Sequence, residues 1–204
     1  LKGDLSQVAG LPSQVRAICS CGPLDLFSQW YARTGVETSR VIAFGSTSID
    51  VKRGSADADE RELAARLREG EQRLFQTASK REVAATVLRP TLIYGAGRDR
   101  NLNRIAQVAR RFGRIVLPRD AKGLRQPVHL HDLADAAFDC LDAAATHGRT
   151  YALPGGETLE YREMAARLLA ALQPPPKLHE VPGGVFNVVL AAAHAAGFAL
   201  DFNE

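Results

Sequence analysis

Cysteine, aromatic residues and net charge are all scarce in this chain of 204 residues, and each scarcity closes off a class of protein. Three cysteines, Cys19, Cys21 and Cys140, are too few and too unevenly spaced for a disulfide framework, so a reducing, cytoplasmic location is expected. No second Cys or His pair stands at zinc-ligand spacing from Cys19-x-Cys21. No metal is therefore expected, and the pair reads as a buried strand end. The apolar run Val185 to Leu200 is broken by Asn187 and His194 and falls short of the ~20 residues a membrane span needs. It reads as a packed helix, with no membrane partner expected. A net charge of +3 is too small to imply a polyanion. Phe112 is the one aromatic in the most basic stretch, which speaks against nucleic acid stacked on side chains.

What is present is ordinary globular material, 46% apolar and 24% charged, enough for one sizeable core or one domain with a small appendage. The charge is uneven. Residues 98–125 hold nine positive side chains (Arg98, Arg100, Arg104, Arg110, Arg111, Arg114, Arg119, Lys122, Arg125) against Asp99 and Asp120, leaving the remainder net negative. Two readings stand: solvated helix faces and a loop, or a site for an anionic ligand such as a diphosphate. The chain opens at Leu1 with no initiator Met and closes at Glu204 just after an apolar stretch, so both ends read as cut.

Short apolar runs alternate with helical patterns, the signature of βα units closing a parallel sheet. Strands are expected at Val15–Cys19, at Arg40–Gly45 (buried on both faces because its run does not alternate), at Ala84–Arg89 ended by Pro90, at Ile115–Pro118 and at Thr150–Leu153. Helices are expected over Leu24–Arg33 after the Gly22-Pro23 turn, and over about Asp59–Ala78. In the second, Leu63, Leu67, Gly70 and Leu74 form a narrow stripe, and Gly70 points to close helix-to-sheet approach. Asp132 is the expected cap of a helix carrying Leu133, Ala136, Ala137, Cys140, Leu141 and Ala144. A last helix after Thr158 bears Tyr161, Met164, Ala165, Leu168, Leu169 and Leu172, and Pro174-Pro175-Pro176 stops it. In such a sheet a ligand lies beyond the carboxyl ends of the strands.

The residues at those ends are distinctive. Leu88-Arg89-Pro90-Thr91-Leu92-Ile93-Tyr94-Gly95-Ala96-Gly97, Arg125-Gln126-Pro127-Val128-His129-Leu130-His131-Asp132, Phe44-Gly45-Ser46-Thr47-Ser48 and Gly3-Asp4-Leu5 together resemble the NAD(P)-dependent epimerase/dehydratase group, the extended branch of the short-chain dehydrogenase/reductase superfamily. The resemblance covers nearly the whole chain. It implies an α/β fold, a Rossmann-type parallel sheet with a small C-terminal α/β substrate region. Residues 1–97 would be the remainder of the dinucleotide-binding domain, and 98–204 a substrate side interleaved with the last sheet elements. The N-terminal βαβ unit with its glycine-rich phosphate loop is not in the sequence.

The same resemblance implies NAD or NADP as cofactor, with Asp4 and Leu5 near the adenine and Cys21, Gly22 and Gly45 on the ribose and phosphate side. Pro90, Leu92 and Ile93 would flank the nicotinamide. Ser46 takes the position whose hydroxyl bonds the reacting oxygen, with Thr47 beside it. Arg125 falls where epimerases hold a diphosphate, a task suited to a guanidinium fork, and Tyr94 and Arg98 join it on the substrate side. The Tyr and Lys four residues apart that the group uses as general base are replaced by Ala64 and Arg68, and no Tyr occurs between Tyr31 and Tyr94. Arg68 can still reach ribose hydroxyls. Leu92 replaces an Asn that contacts substrate in many sugar-nucleotide epimerases. His129 and His131 read as structural. Two functions follow: an atypical oxidoreductase or epimerase on a small or nucleotide-linked substrate, or a non-catalytic NAD(P)-binding sensor or assembly protein. The helices flanking Val41–Phe44 suit a homodimer.

Overall fold

The computed structural model describes residues 10–97, 99 and 101–195. In chain order these form β1 (Ala17–Ser20), α1 (Leu24–Arg33), β2 (Arg40–Phe44), α2 (Ser48–Val51), α3 (Ala58–Lys80), β3 (Ala84–Pro90), β4 (Ile93–Tyr94), α4 (Asn101–Phe112), β5 (Arg114–Pro118) and β6 (Leu124–Arg125). There follow β7 (Val128–His129), α5 (Leu130–Asp139), β8 (Arg149–Leu153), β9 (Leu159–Glu160), α6 (Tyr161–Ala170), β10 (Lys177–Val181) and α7 (Gly183–Ala195). The chain divides into two units, one from the residues up to Ile93 with Val128–Gly155, the other from Tyr94–Pro127 with the residues from Gly156 on.

In the first unit β1, β2, β3 and β8 pair in that order, all parallel, with Val41 opposite both Ile18 and Ala85, and Leu88 opposite both Phe44 and Tyr151. Side chains alternate along a strand, and both faces of β2 are covered. Val41 and Ala43 pack with Leu24, Phe27 and Tyr31 of α1, Leu74 of α3 and Val87, whereas Ile42 packs with Leu88, Ala137 and Cys140. This explains why its apolar run does not alternate. The sheet is the parallel α/β sheet expected.

Four local expectations are corrected. Strand β1 begins two residues late, because Val15 N–H donates to Glu37 O outside the ladder. Cys19 and Cys21 are exposed rather than buried, β1 being the edge of its sheet. The tight approach at Gly70 is to a helix: a Cβ there would stand 3.0 Å from Asp25 Cα in the first turn of α1, and the buried face of α3 also takes in Ala64, Glu71 and Ala78. Helix α5 starts at Leu130, capped by His129, whose Nδ1 accepts the His131 N–H at 3.3 Å. Asp132 therefore lies inside the first turn, where its charge suits the helix dipole.

In the second unit β5 pairs with β10 in parallel and β6 with β9 antiparallel. Helix α4 buries Leu102, Ile105, Ala106 and Ala109, and α6 buries Met164, Ala165 and Leu169. Arg110, Arg111, Arg114, Arg119 and Lys122 are exposed, so most of the basic run is a solvated surface. Among the described residues no helix is long and apolar enough to cross a membrane.

Candidate functional site

In the first unit the sequence-predicted residues gather where β2 and β3 end. Gly45 N–H donates to Leu88 O at 2.8 Å, continuing the ladder past the last strand residue. A Cβ at Gly45 would meet Val87 Cγ1 at 3.3 Å and Leu24 Cδ2 at 3.4 Å, so the residue is small because the core closes on it. Thr47 spends both its N–H (3.2 Å) and its hydroxyl (3.3 Å) on the carbonyl of Pro90, latching one strand end to the next. Thr47 thus positions the turn.

Ser46, half-buried, has its oxygen held in place. Its Oγ accepts the Ser48 N–H at 3.1 Å and donates to Ser48 Oγ at 3.0 Å. The backbone bond fixes the oxygen, and the bond to a second hydroxyl leaves a proton that can be redirected to an incoming oxygen. Arg68 is exposed and reaches back to Ile49 O at 3.4 Å, tying α3 to the turn that carries Ser46. Cys21 and Gly22 follow β1, whose Ser20 lies opposite Ala43. No atom stands within 4 Å of where a Gly22 Cβ would be, so the backbone there is open. Pro90 is buried, Leu92 half-buried with its carbonyl accepting the Val128 N–H at 2.9 Å, and Ile93 is exposed. Hydroxyls, open peptide groups and an apolar wall are a donor set that fits the ribose and amide of a nicotinamide nucleotide.

A second group of side chains at this end carries no signal in the sequence. Arg89 donates through Nε and Nη2 to the two carboxylate oxygens of Glu71 at 2.9 and 2.8 Å, and through Nη1 to Asp50 Oδ2 at 2.9 Å. Thr150 Oγ1 donates to Glu71 Oε1 at 2.9 Å. This clamp holds β3, β8, α2 and α3 together around a fork-to-carboxylate pair.

In the second unit Arg125, half-buried, lies with its guanidinium 5.6 Å from the centroid of the Tyr161 ring and donates to Leu124 O at 3.0 Å. Gly123 makes room for it, a Cβ there falling 3.1 Å from Arg125 Nη1. Burial pushes the Tyr161 hydroxyl above the ordinary tyrosine value, against the pull of Arg125, so the ring is a neutral platform under a cation. The pair opens on a cavity of about 350 Å³ whose walls include Leu117, Asp120, Phe186 and Asn187. Tyr94 of this unit is 37% exposed. Asp4, Leu5 and Arg98 lie outside the described residues.

Solved structures share this arrangement of strands and helices. A UDP-N-acetylglucosamine 4-epimerase from Bacillus cereus matches with a TM-score of 0.64 at 17% identity, over 93% of this chain and 73% of its own. The RMD protein of Pseudomonas aeruginosa, solved with NADPH, matches at 0.59 and 16% identity, over 85% of this chain and 70% of its own. The fold is that of the NAD(P)-dependent epimerases and dehydratases. No family model matches the chain. A curated relative, the 2-alkyl-3-oxoalkanoate reductase of Stenotrophomonas maltophilia (strain K279a), is 35% identical over 109 residues, 52% of this chain and 32% of that protein. The chain thus spans about a third of the curated relative it matches.

Proposed function

We propose that this chain is part of an NAD(P)-dependent oxidoreductase or epimerase of the epimerase/dehydratase type. The observation that carries the reading is Ser46, a hydroxyl at the carboxyl end of a central parallel strand, fixed by a backbone N–H and still able to donate. Bound NAD(P) would supply hydride exchange. The chain's own contribution is to hold the substrate oxygen at Ser46 Oγ and polarise it as charge develops there. Cys21, Gly22, Gly45, Pro90 and Leu92 would line the cofactor, with Ile93 at its margin and Arg68 beside its ribose. Arg125 on the neutral ring of Tyr161 would hold an anionic group, a carboxylate or a diphosphate, of a small or nucleotide-linked substrate. The reductase relative favours an oxidoreductase over an epimerase.

A second reading, NAD(P) binding without turnover, draws on one observation. The chain has no Tyr between Tyr31 and Tyr94, and α3 carries Ala64 and Arg68 where the resemblance puts the base and its Lys. To separate the two, the full-length protein is titrated with NADH and NADPH by nicotinamide fluorescence, then assayed on a β-keto acid and on a UDP-sugar. Saturable binding with turnover is expected. Ser46→Ala should leave cofactor affinity unchanged and lower kcat by roughly 10²–10³. Binding without turnover would establish the second reading, and failure to bind either nucleotide would overturn both.

A further inference from the structure

The sulfur chemistry of Cys19 and Cys21 plays no part in the function proposed above. Both side chains are exposed at the carboxyl end of β1, the edge strand of the parallel sheet, whereas Cys140 is buried. Side chains two residues apart in an extended segment point the same way. The exposure follows that alternation, since Ser20, between the two cysteines, is 7% exposed. Two rises of about 3.3 Å put the cysteine Cα atoms about 6.6 Å apart, at the upper end of the span a disulfide bridges. Cys21 lies just past the last strand residue and beside Gly22, where no atom stands within 4 Å of a Cβ position, so the backbone there can turn to bring the sulfurs together.

Partial burial first, and then a charge on Cys21, push the Cys19 thiol above its ordinary value, against the pull of the Arg40 guanidinium. The two sulfurs are thus close enough for a thiolate on one to hold the proton on the other. Cys21 is then the attacking thiolate and Cys19 the resolving thiol. We propose that Cys19 and Cys21 are a reversible redox modification site, oxidised to a disulfide by a hydroperoxide and restored by a small thiol such as glutathione. The Cys21 thiolate attacks peroxide oxygen, forming S–O as O–O breaks, and hydroxide leaves. Cys19 then attacks the Cys21 sulfenic sulfur, forming S–S as S–O breaks, and the hydroxyl departs with the Cys19 proton as water. The pair gives up two electrons, which reduce the peroxide to water. An exposed disulfide closing so small a ring is readily reduced again. The bond does not depend on the cofactor reading, although Cys21 stands at the strand end where that reading puts the nucleotide.

The reduced full chain is treated with hydrogen peroxide, quenched with iodoacetamide and digested with trypsin. Cleavage after Arg16 and Arg33 releases both cysteines on one peptide, apart from Cys140. That peptide is expected to lose two hydrogens and both alkylation sites, and to regain them after incubation with glutathione. Cys19→Ser should leave Cys21 as a sulfenic acid that dimedone labels, and Cys21→Ser should slow oxidation of the remaining thiol about tenfold or more. Equal oxidation rates in the two variants would overturn the order of attack. A fully alkylated peptide after peroxide, a sulfinic acid in place of the disulfide, or a disulfide to Cys140 or to a second chain would each overturn the site.

Discussion

At Gly70 two opposing effects of one methyl group can be weighed. Alanine in a helix interior is worth about 1 kcal/mol over glycine. A Cβ at this position, however, would stand 3.0 Å from a backbone atom of α1, which cannot swing aside as a side chain can, and overpacking costs about 1–3 kcal/mol. The clash should win, and Gly70→Ala is expected to lower the thermal midpoint; a rise would show that α1 shifts freely. The sequence marked Gly70 as a contact point through its place on the α3 stripe, but it could not say which neighbour fills the contact, because crossing geometry between helices is set by tertiary packing. Arg40 is a similar case. It is 4% exposed and donates to the carbonyls of Cys140 and Ala84 and the hydroxyls of Thr86 and Thr146, a buried cation spread over neutral acceptors. Burial pulls its pKa down from the usual arginine value. Nothing in its local sequence separates it from a surface arginine ahead of a strand.

Elements were legible where local chemistry determines them. Helix α1 falls on the bounds its Gly22-Pro23 start and apolar spacing predict, and β2 was readable from four apolar residues in a row. Helix α5 was misplaced because a histidine nitrogen, rather than a carboxylate, takes the capping N–H. The strand-end residues Ser46, Thr47 and Pro90 could be found from their position alone. The stacking of Arg125 on Tyr161 and the clamp of Arg89 on Glu71 could not, since each joins residues far apart in the chain. The clamp is testable as a unit. Glu71→Gln keeps the volume but leaves the Arg89 fork, 19% exposed, with Asp50 as its remaining carboxylate. A loss of about 2 kcal/mol in the urea midpoint free energy is expected. Glu71→Leu with Arg89→Met, which removes both charges, should recover much of it, and no recovery would show that the pair is not acting as a pair.

On the scale of the whole molecule, alkaline pH should act through the buried Tyr31 and the half-buried Tyr161. Burial raises the pKa of Tyr31, opposed by Arg81, and that of Tyr161, opposed by Arg125. In the unfolded chain both ionise near ~10, before they can in the folded protein, so above that pH the unfolded state loses protons first and stability falls. Below it both states are protonated and these groups contribute no slope. Urea midpoints measured from neutral pH upward should therefore hold level and then drop past pH ~10, with Tyr31→Phe and Tyr161→Phe together reducing the drop. An unchanged drop in the double variant would assign it to other groups.

The chain order of the sheet also bears on how this protein is made. Strand β8 pairs with β3, but the whole stretch Tyr94–Pro127, the first half of the second unit, is synthesised between them. A ribosome finishes that stretch before the first unit can close, and it finishes the first unit before Gly156 onward arrives to complete the second. The first unit becomes complete only once residue 155 has been made, and the second only with the residues beyond it. Each waits half-built with an open strand edge, and parallel pairings of such long sequence separation form slowly. The interleaving that brings strand ends together in the folded chain thus makes the nascent chain dependent on timing, with the uncovered edge of β3 as its most vulnerable surface until residue 153 emerges.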